Sequence, residues 1–142
     1  MARMQCVVVG IFLLAGWAGS VSQAQSAAKT ASKDVATVDG GIGSCSLELT
    51  VNTTDGKPVY GASVKVHIAY GFGGFHKLDL EAATNTDGKV NFTGLPNRVR
   101  RPPLEFDGSK DELVGTVNYD PSVQCRVKQV MVLDKPKPSQ DQ

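Results

Sequence analysis

The sequence predicts an all-β fold, and three observations support this prediction. Apolar and polar residues alternate along several short segments, turn-forming residues separate these segments at close intervals, and two of the turns share the tetrapeptide Thr-Asp-Gly-Lys. A period of two with one apolar face is the pattern of a strand half-buried in a sheet. Many short strands divided by regular turns are typical of a β-sandwich.

Alternation also places the strands. In the segment 45–51 the odd-numbered residues are apolar and the even-numbered residues are polar. Similar patterns predict seven strands in all, at 45–51, 63–70, 78–82, 90–92, 104–106, 112–119 and 124–133. The last segment is longer and apolar on both faces over 130–133, which favours a central strand.

The two shared tetrapeptides, at 54–57 and 86–89, have the chemistry of tight turns. Glycine tolerates a positive φ, and aspartate can hydrogen-bond to its own nearby backbone. A bulkier residue at Gly56 or Gly88 would therefore strain the reversal. The strands that flank the two turns do not match, so we attribute the repetition to turn chemistry and not to an internal duplication.

The N-terminal residues 1–24 have the pattern of a secretory signal peptide. One positive charge, Arg3, precedes an apolar run at 6–17, and Ser22 and Ala24 are small residues in the positions that a signal peptidase checks. An uncleaved anchor is the alternative. Next, 25–43 is predicted to be a flexible lead, because it has few large apolar side chains, and 135–142 a disordered, proline-containing tail. These bounds leave one β-sandwich domain at 44–134.

Charge and export define the expected surroundings. The chain has 15 Lys and Arg against 14 Asp and Glu, and removal of 1–24 removes only Arg3, so the remaining charges balance. A balanced domain has no general attraction for nucleic acid or anionic membranes. We therefore expect a secreted or periplasmic protein of the bacterial cell envelope, with no nucleic-acid partner and no membrane span after signal cleavage.

Cysteine usage agrees with export. Cys6 leaves with the signal, and Cys45 and Cys125 remain as an even pair, which predicts a disulfide in an oxidising compartment. Closing a loop of about 80 residues would contribute roughly 4 kcal/mol by the chain-entropy estimate. Two reactive thiols are the alternative, but no neighbouring residue in the sequence is suited to activate either sulfur.

Two runs resemble a known family. They are Asp-Gly-Lys-Pro-Val-Tyr-Gly-Ala at 55–62 and Thr-Asp-Gly-Lys-Val-Asn-Phe-Thr-Gly-Leu-Pro at 86–96. In this order they resemble the carboxypeptidase regulatory-like domain, here as a stand-alone secreted form, over about 45–134. The resemblance implies a seven-stranded antiparallel Greek-key β-sandwich of the transthyretin-like (prealbumin-like), Ig-like type. Relatives usually continue with Gly-x-Tyr after Leu-Pro, whereas 97–103 intervenes here and leaves strand placement over 97–110 open.

Known enzymes of related fold give no match. Intradiol dioxygenases hold iron with two tyrosines and a His-x-His pair, whereas the two histidines here, His67 and His76, are nine residues apart. Neither Gly-x-Ser-x-Gly nor a Cys/His signature occurs. We therefore expect a protein that is not an enzyme and has no catalytic residues, cofactor or metal. One weaker alternative is a metal-dependent hydrolase in which His67, His76 and Asp79 converge as ligands.

Two segments are candidates for ligand binding. The segment 70–76 combines three glycines, three aromatic residues and a histidine, and its aromatic rings could stack on a sugar or hold a peptide. Its alternative role is a hairpin loop whose phenylalanines cover the open end of the core. The basic run at 98–101 could meet phosphate or carboxylate groups of an envelope polymer or a partner. The candidate residues are Tyr70, Phe72, Phe75, His76, Arg98, Arg100 and Arg101.

These observations predict a function class. We expect a non-catalytic binding or scaffolding module of the envelope that recognises an envelope polysaccharide or a protein partner through the loop 70–76. The alternative is an accessory subunit that docks on an envelope enzyme or a secretion complex through an edge strand.

Overall fold

The computed structural model describes residues 32–138, which form two sheets packed face to face. A short 3₁₀ turn, Phe72–Gly74, lies between the third and fourth strands. The eight strands of the described residues are β1 (Ala36–Asp39), β2 (Cys45–Thr53), β3 (Ser63–Tyr70), β4 (His76–Ala83), β5 (Lys89–Leu95), β6 (Leu104–Lys110), β7 (Leu113–Tyr119) and β8 (Arg126–Leu133).

The two sheets differ in how their strands pair. The first has the order β1-β5-β2-β8, in which β2 and β5 are antiparallel while β1 with β5 and β2 with β8 are parallel. The second has the order β4-β3-β6-β7 and is antiparallel throughout. Apolar side chains from the inner faces of both sheets form the core, where Phe106 makes edge-to-face contacts with Phe92 and Tyr119.

The predicted all-β fold is confirmed, but the expectation of seven antiparallel strands is not. An eighth strand, β1, lies in the segment 25–43 that was expected to be a flexible lead. Ala36 and Val38 are half-buried against the core, and the strand pairs along β5 from Ala36 opposite Val90 to Asp39 opposite Thr93. With two apolar side chains of modest size, this segment shows little alternation in the sequence. Backbone hydrogen bonds to β5 therefore account for its strand structure.

The last strand is also placed differently from the expectation. β8 has one ladder partner, β2, and therefore lies at an edge of the first sheet. Met131 and Leu133 are buried, whereas Val130 and Val132 are 59% and 50% exposed. The apolar residues on the outer face follow the preference of β-branched side chains for strands and do not indicate burial on both faces.

The predicted disulfide is confirmed. Cys45 begins β2 and is bonded to Cys125, which lies immediately before β8 and not within it. The hydroxyl of Tyr119, at the end of β7, donates a hydrogen bond of 2.7 Å to the carbonyl oxygen of Cys125. The disulfide thus joins two neighbouring strands of the first sheet, and the hydrogen bond ties the end of β7 in the second sheet to the same point.

Strand registers define the two ends of the sandwich. Cys45 lies opposite Leu95 and Tyr70 opposite His76, so the connections 40–44, 71–75, 96–103 and 120–125 share one end, which we call the loop end. The short connections at 54–62, 84–88 and 111–112 share the other end, which we call the turn end.

Several expectations concern residues outside the described range. The signal peptide at 1–24, with Arg3 and Cys6, lies there, as do the first part of the lead and the last four residues of the tail. Residues 135–138 are described and form neither helix nor strand. Between residues 32 and 138, no helix has the length and apolar character needed to cross a membrane.

Candidate functional site

The fold brings the two candidate segments together at the loop end. The connection 96–103 runs from β5 in the first sheet to β6 in the second, and in doing so passes beside the β3–β4 loop. The approach is close, because a Cβ atom added to Gly74 would lie 2.7 Å from Cδ of Arg100. Gly74 and Arg100, which are 26 positions apart in sequence, therefore share one surface.

A cleft of about 560 Å³ opens between these segments and the outer face of the second sheet. Its cations come from the two loops and from the start of β4, and its carboxylates come from β6. The lining residues are His67, Ala69, Gly73, Gly74, Lys77, Val99, Arg100, Arg101, Pro103, Leu104, Glu105 and Asp107.

The β3–β4 loop has its shape because of its glycines. Gly71, Gly73 and Gly74 adopt φ values of 78°, 67° and 69°, which side chains rarely tolerate. The Gly74 amide donates to the Gly71 carbonyl at 3.1 Å and closes the short turn. At its base Tyr70 and His76 lie opposite each other with their rings stacked at 5.4 Å. These two candidate residues therefore have a structural contact with each other and do not line the cleft.

The two phenylalanines of this loop point into solvent. Phe72 is 95% exposed and Phe75 is 82% exposed. The alternative in which they cover the open end of the core is therefore wrong. Tyr70, Leu78 and Val99 pack against the core instead, so the loop apex is not needed to close it.

The three candidate arginines, Arg98, Arg100 and Arg101, are all exposed. In the part of the chain that the structure describes, the ion pairs join Lys65 to Glu81, His67 to Asp79 and Lys128 to Glu48, and none includes these arginines. Guanidinium groups that lack an internal carboxylate partner remain available for an external anion.

The floor of the cleft is polar and carries negative charge. Glu105 and Asp107 project from the outer face of β6, and Asp107 accepts a hydrogen bond of 3.1 Å from the Thr116 hydroxyl. His67 Nδ1 is hydrogen-bonded to Asp79 across the β3–β4 ladder. The cleft thus places cations on its walls above carboxylates on its floor.

The same outer face continues beyond the cleft with Glu81. The hydroxyl of Ser63 donates a hydrogen bond of 2.6 Å to Glu81 and, with Lys65, holds the pKa of that carboxyl below its usual value. Hydrogen bonds and cations both favour the charged form of a carboxyl group. This part of the sheet is internally paired, unlike the arginines of the loop end.

The proposed metal ligands do not converge. His67 lies opposite Asp79. His76, which is nine positions after His67 in the chain, lies opposite Tyr70. Because side chains alternate across a strand, His67 and His76 project on opposite faces of the second sheet. Over residues 32–138 there is no group of three or more His, Cys, Asp or Glu residues that could hold a metal ion. The alternative of a metal-dependent hydrolase with these ligands is therefore wrong.

Comparisons with known proteins identify no family for this chain. No protein-family model matches the chain, and no curated protein matches it. Chlorocatechol 1,2-dioxygenase from Pseudomonas putida is similar in structure, with a TM-score of 0.48 and 15% identity over 72% of this chain and 68% of that one. Catechol 1,2-dioxygenase from Acinetobacter radioresistens gives 0.44 and 14% over 77% and 62%. 3-Chlorocatechol 1,2-dioxygenase from Rhodococcus opacus gives 0.45 and 11% over 72% and 64%.

These similar structures correct one expectation. The sequence was interpreted as that of a protein that is not an enzyme, whereas the solved structures that resemble it are enzymes. This chain spans about two thirds of their length. At 11–15% identity the likeness concerns the fold, and it assigns no reaction to this chain.

The residues do not fit the iron site that the sequence analysis attributed to intradiol dioxygenases. That site needs two tyrosines and two neighbouring histidines. Here the two histidines lie on opposite faces of a sheet, Tyr70 is stacked on His76, and the Tyr119 hydroxyl is committed to the Cys125 carbonyl. No step through iron is derived for this protein.

Part of the cleft is formed by residues that the sequence pattern predicted. Arg100 and Arg101 line it as candidate residues, and Gly73 and Gly74 belong to the candidate loop. Lys77, Glu105 and Asp107 were missed, because their role depends on the contact between β3, β6 and the connection 96–103. Their outward position in the strand alternation was the one signal that could have suggested them.

Proposed function

We propose that this protein is an exported binding domain of the cell envelope that holds an acidic saccharide in the cleft between residues 73–77 and 99–107. One observation carries the proposal: the β3–β4 loop meets the connection 96–103, and Lys77, Arg100 and Arg101 line one cleft with Glu105 and Asp107. The cleft volume of about 560 Å³ falls within the usual range of about 300–1,000 Å³ for small-molecule sites.

The cations of the cleft favour a ligand with carboxylate groups. A guanidinium group presents a planar set of donors that matches a carboxylate in a bidentate pair. Arg100 and Arg101 are both exposed, and no ion pair of the described residues occupies them. Lys77 adds a third positive charge to the lining of the cleft.

The carboxylates on the floor favour hydroxyl groups on the same ligand. Glu105 and Asp107 can accept hydrogen bonds from sugar hydroxyls, whereas they would repel a dense polyanion such as a polyphosphate. A ligand that carries both carboxylates and hydroxyls, such as a uronic-acid oligosaccharide, satisfies both sets of groups. This combination distinguishes an acidic saccharide from an inorganic anion and from a neutral sugar.

The cellular setting belongs to the same proposal. A disulfide between Cys45 and Cys125 is typical of proteins in oxidising compartments. Together with the signal-like residues 1–24, it supports a secreted or periplasmic location. We also propose that the domain is related to carboxypeptidase regulatory-like domains and has their Greek-key topology. The runs at 55–62 and 86–96 support this proposal.

Isothermal titration calorimetry tests the proposed ligand class. We expect trigalacturonic acid to bind and the neutral trisaccharide maltotriose not to bind. Because Arg101 and Lys77 supply charge to the cleft, Arg101→Ala and Lys77→Ala should each weaken binding by roughly tenfold, the usual scale for one charge-assisted hydrogen bond.

The matched control is Arg126→Ala, which removes an exposed arginine from the first sheet. Its affinity should equal that of the unchanged protein. Equal binding of the neutral trisaccharide, no binding of the acidic one, or equal loss in Arg126→Ala would each refute the assignment. Circular dichroism of each variant checks that the sheets are intact.

A further inference from the structure

The apex of the loop end carries a second surface, which adjoins the cleft and shares Arg100 with it. We propose that Phe72 and Phe75, with Arg98 and Arg100 beside them, dock this protein onto the surface of an anionic lipid bilayer. We call these four residues the aromatic tip. Neither phenylalanine lines the cleft, so the inference goes beyond the proposed saccharide binding.

The first argument is the exposure of the two aromatic side chains. Phe72 and Phe75 are 95% and 82% exposed, the largest exposed fractions among the big hydrophobic side chains that the structure describes. They stand at the apex of a hairpin loop whose glycines have positive φ, so the backbone presents them without neighbouring bulk. Exposed aromatic rings at a loop apex are suited to the boundary between lipid headgroups and acyl chains.

The second argument is charge. The segments 70–77 and 97–103 contain Lys77, Arg98, Arg100 and Arg101 but no acidic residue. Gly71, Phe72 and Gly73 line one shallow depression with Arg98, Val99 and Arg100, so the apolar and cationic groups adjoin. Each basic residue near an anionic bilayer adds to its attraction, and stable binding needs an apolar and an electrostatic contribution together.

The acidic residues near the aromatic tip do not occupy its arginines. Glu105 and Asp107 lie on the outer face of β6, where they line the cleft and not the depression beside Phe72. Asp39 accepts a hydrogen bond of 2.8 Å from the Gly41 amide within its own loop. Asp120 accepts hydrogen bonds from the Ser122 amide and hydroxyl within another. The carboxylates of Asp39 and Asp120 are thus hydrogen-bonded within their own loops and do not form ion pairs with the arginines. The overall charge balance of the chain therefore hides a local positive region.

The shape of the tip favours a bilayer over a protein partner. Stable protein interfaces bury about 800 Å² on each partner around a packed centre. Here two phenylalanines project from a short loop, and the depression beside them is shallow. A bilayer surface can surround a projecting ring, because its headgroup region adapts to the shape of the inserted side chain.

Vesicle sedimentation of the purified protein tests the proposal. We expect partition onto phosphatidylcholine vesicles with about 30% phosphatidylglycerol, and roughly tenfold weaker partition onto pure phosphatidylcholine. Phe72→Ala with Phe75→Ala should lower the partition onto the anionic vesicles by roughly tenfold, because the apolar contribution is lost. Raising the salt to about 0.5 M should release the unchanged protein.

The control is Val123→Ala, which alters another exposed apolar side chain of the loop end, 77% exposed. It should bind the anionic vesicles as the unchanged protein does. Equal partition onto the two kinds of vesicle, no partition onto either, or an unaffected Phe72→Ala, Phe75→Ala double variant would each overturn the inference. A partner protein as the real ligand of the tip would give one of these negative results.

A fluorescent variant gives a second readout that does not depend on removing a side chain. Phe72→Trp should show a blue-shifted emission with anionic vesicles, and Val123→Trp should not. The double alanine variant also separates the two proposals, because it should retain trigalacturonic acid binding. If the unchanged protein binds anionic vesicles but not trigalacturonic acid, the cleft assignment is refuted and the tip assignment stands.

Discussion

The two ends of the sandwich are built in different ways. At the turn end, the connections are fixed by hydrogen bonds between neighbouring turns. At the loop end, a disulfide and the Tyr119 hydroxyl anchor the connection 120–125 at its base, whereas the side chains of Phe72, Phe75 and Val123 stay exposed. Anchoring a loop at its base leaves its apical side chains free to contact a ligand.

At the turn end, the side chains of Thr84 and Asn85 are hydrogen-bonded to the backbone of the turns, whereas the buried Thr86 hydroxyl has no partner among the residues that the structure describes. The buried Thr84 hydroxyl accepts from the Ala62 amide at 2.9 Å and donates to the Val59 carbonyl at 2.6 Å. The Asn85 side chain accepts from the amides of Asp87 and Lys89. Side chains that serve the backbone in this way cannot serve a ligand. This end is therefore a structural element.

The largest effect is expected from removing the anchor of the loop end. Cys45→Ala with Cys125→Ala should destabilise the fold by roughly 4 kcal/mol, because the cross-link closes a loop of about 80 residues in the unfolded chain. Urea unfolding followed by circular dichroism measures the change. A loss of less than about 1 kcal/mol would show that the loop end is held without its covalent anchor.

The second effect compares two glycines that occupy the same place in the repeated tetrapeptide. Gly88 and Gly56 both have positive φ, at 72° and 78°. A Cβ atom on Gly88 would lie 2.4 Å from the Val51 carbonyl oxygen, whereas one on Gly56 meets nothing within 4 Å. We expect Gly88→Ala to cost about 3 kcal/mol, and Gly56→Ala about 1 kcal/mol, which is the left-handed penalty alone.

The same urea measurement applies to both glycine variants. The two variants can be compared directly, because the tetrapeptide is identical at the two turns and only the neighbouring atoms differ. Equal losses would mean that the turn end is fixed by local backbone preference and not by packing between turns.

The smallest effect concerns Tyr119. Burial, and then the nearby charge of Asp120, raise the pKa of Tyr119 above its usual value of 10.0. The native state therefore favours the neutral phenol, and this contribution is fully present below the unfolded pKa and is lost as pH rises above about 10. Tyr119→Phe removes the hydrogen bond to Cys125 and should cost about 1 kcal/mol at neutral pH.

Urea midpoints at neutral pH and above pH 10.0, the usual pKa of tyrosine, test the sign of this effect. The difference between the unchanged protein and Tyr119→Phe should shrink at the higher pH. A difference that grows with pH would contradict the role of the neutral hydroxyl as a donor to the Cys125 carbonyl.

Much of the fold could be predicted from the sequence because its strands have a clear alternation. The prediction for 63–70 matches β3, and 45–51 lies within β2. β1 was not predicted because its strand structure depends on pairing with β5, and its few apolar side chains add little to the sequence pattern. The edge position of β8 depends on sheet order, which alternation within one strand does not encode.

The candidate site could be predicted only in part. Composition indicated the loop 70–76 and the arginines at 98–101 as two unusual segments. Their contact through Gly74 and Arg100 depends on how the connection 96–103 crosses between the sheets. The exposure of Phe72 and Phe75 likewise depends on other residues filling the end of the core. Neither property belongs to a single segment of the sequence.

The pairing of β2 has a consequence for the assembly of the fold. Its neighbours are β5, about 40 residues later, and β8, about 80 residues later, so this central strand has no ladder partner close in sequence. A topology dominated by distant contacts folds slowly, because long loops must close before the pairing is gained. During translation, β2 must wait for β8 to emerge from the ribosome, so the first sheet is completed late in synthesis or after it.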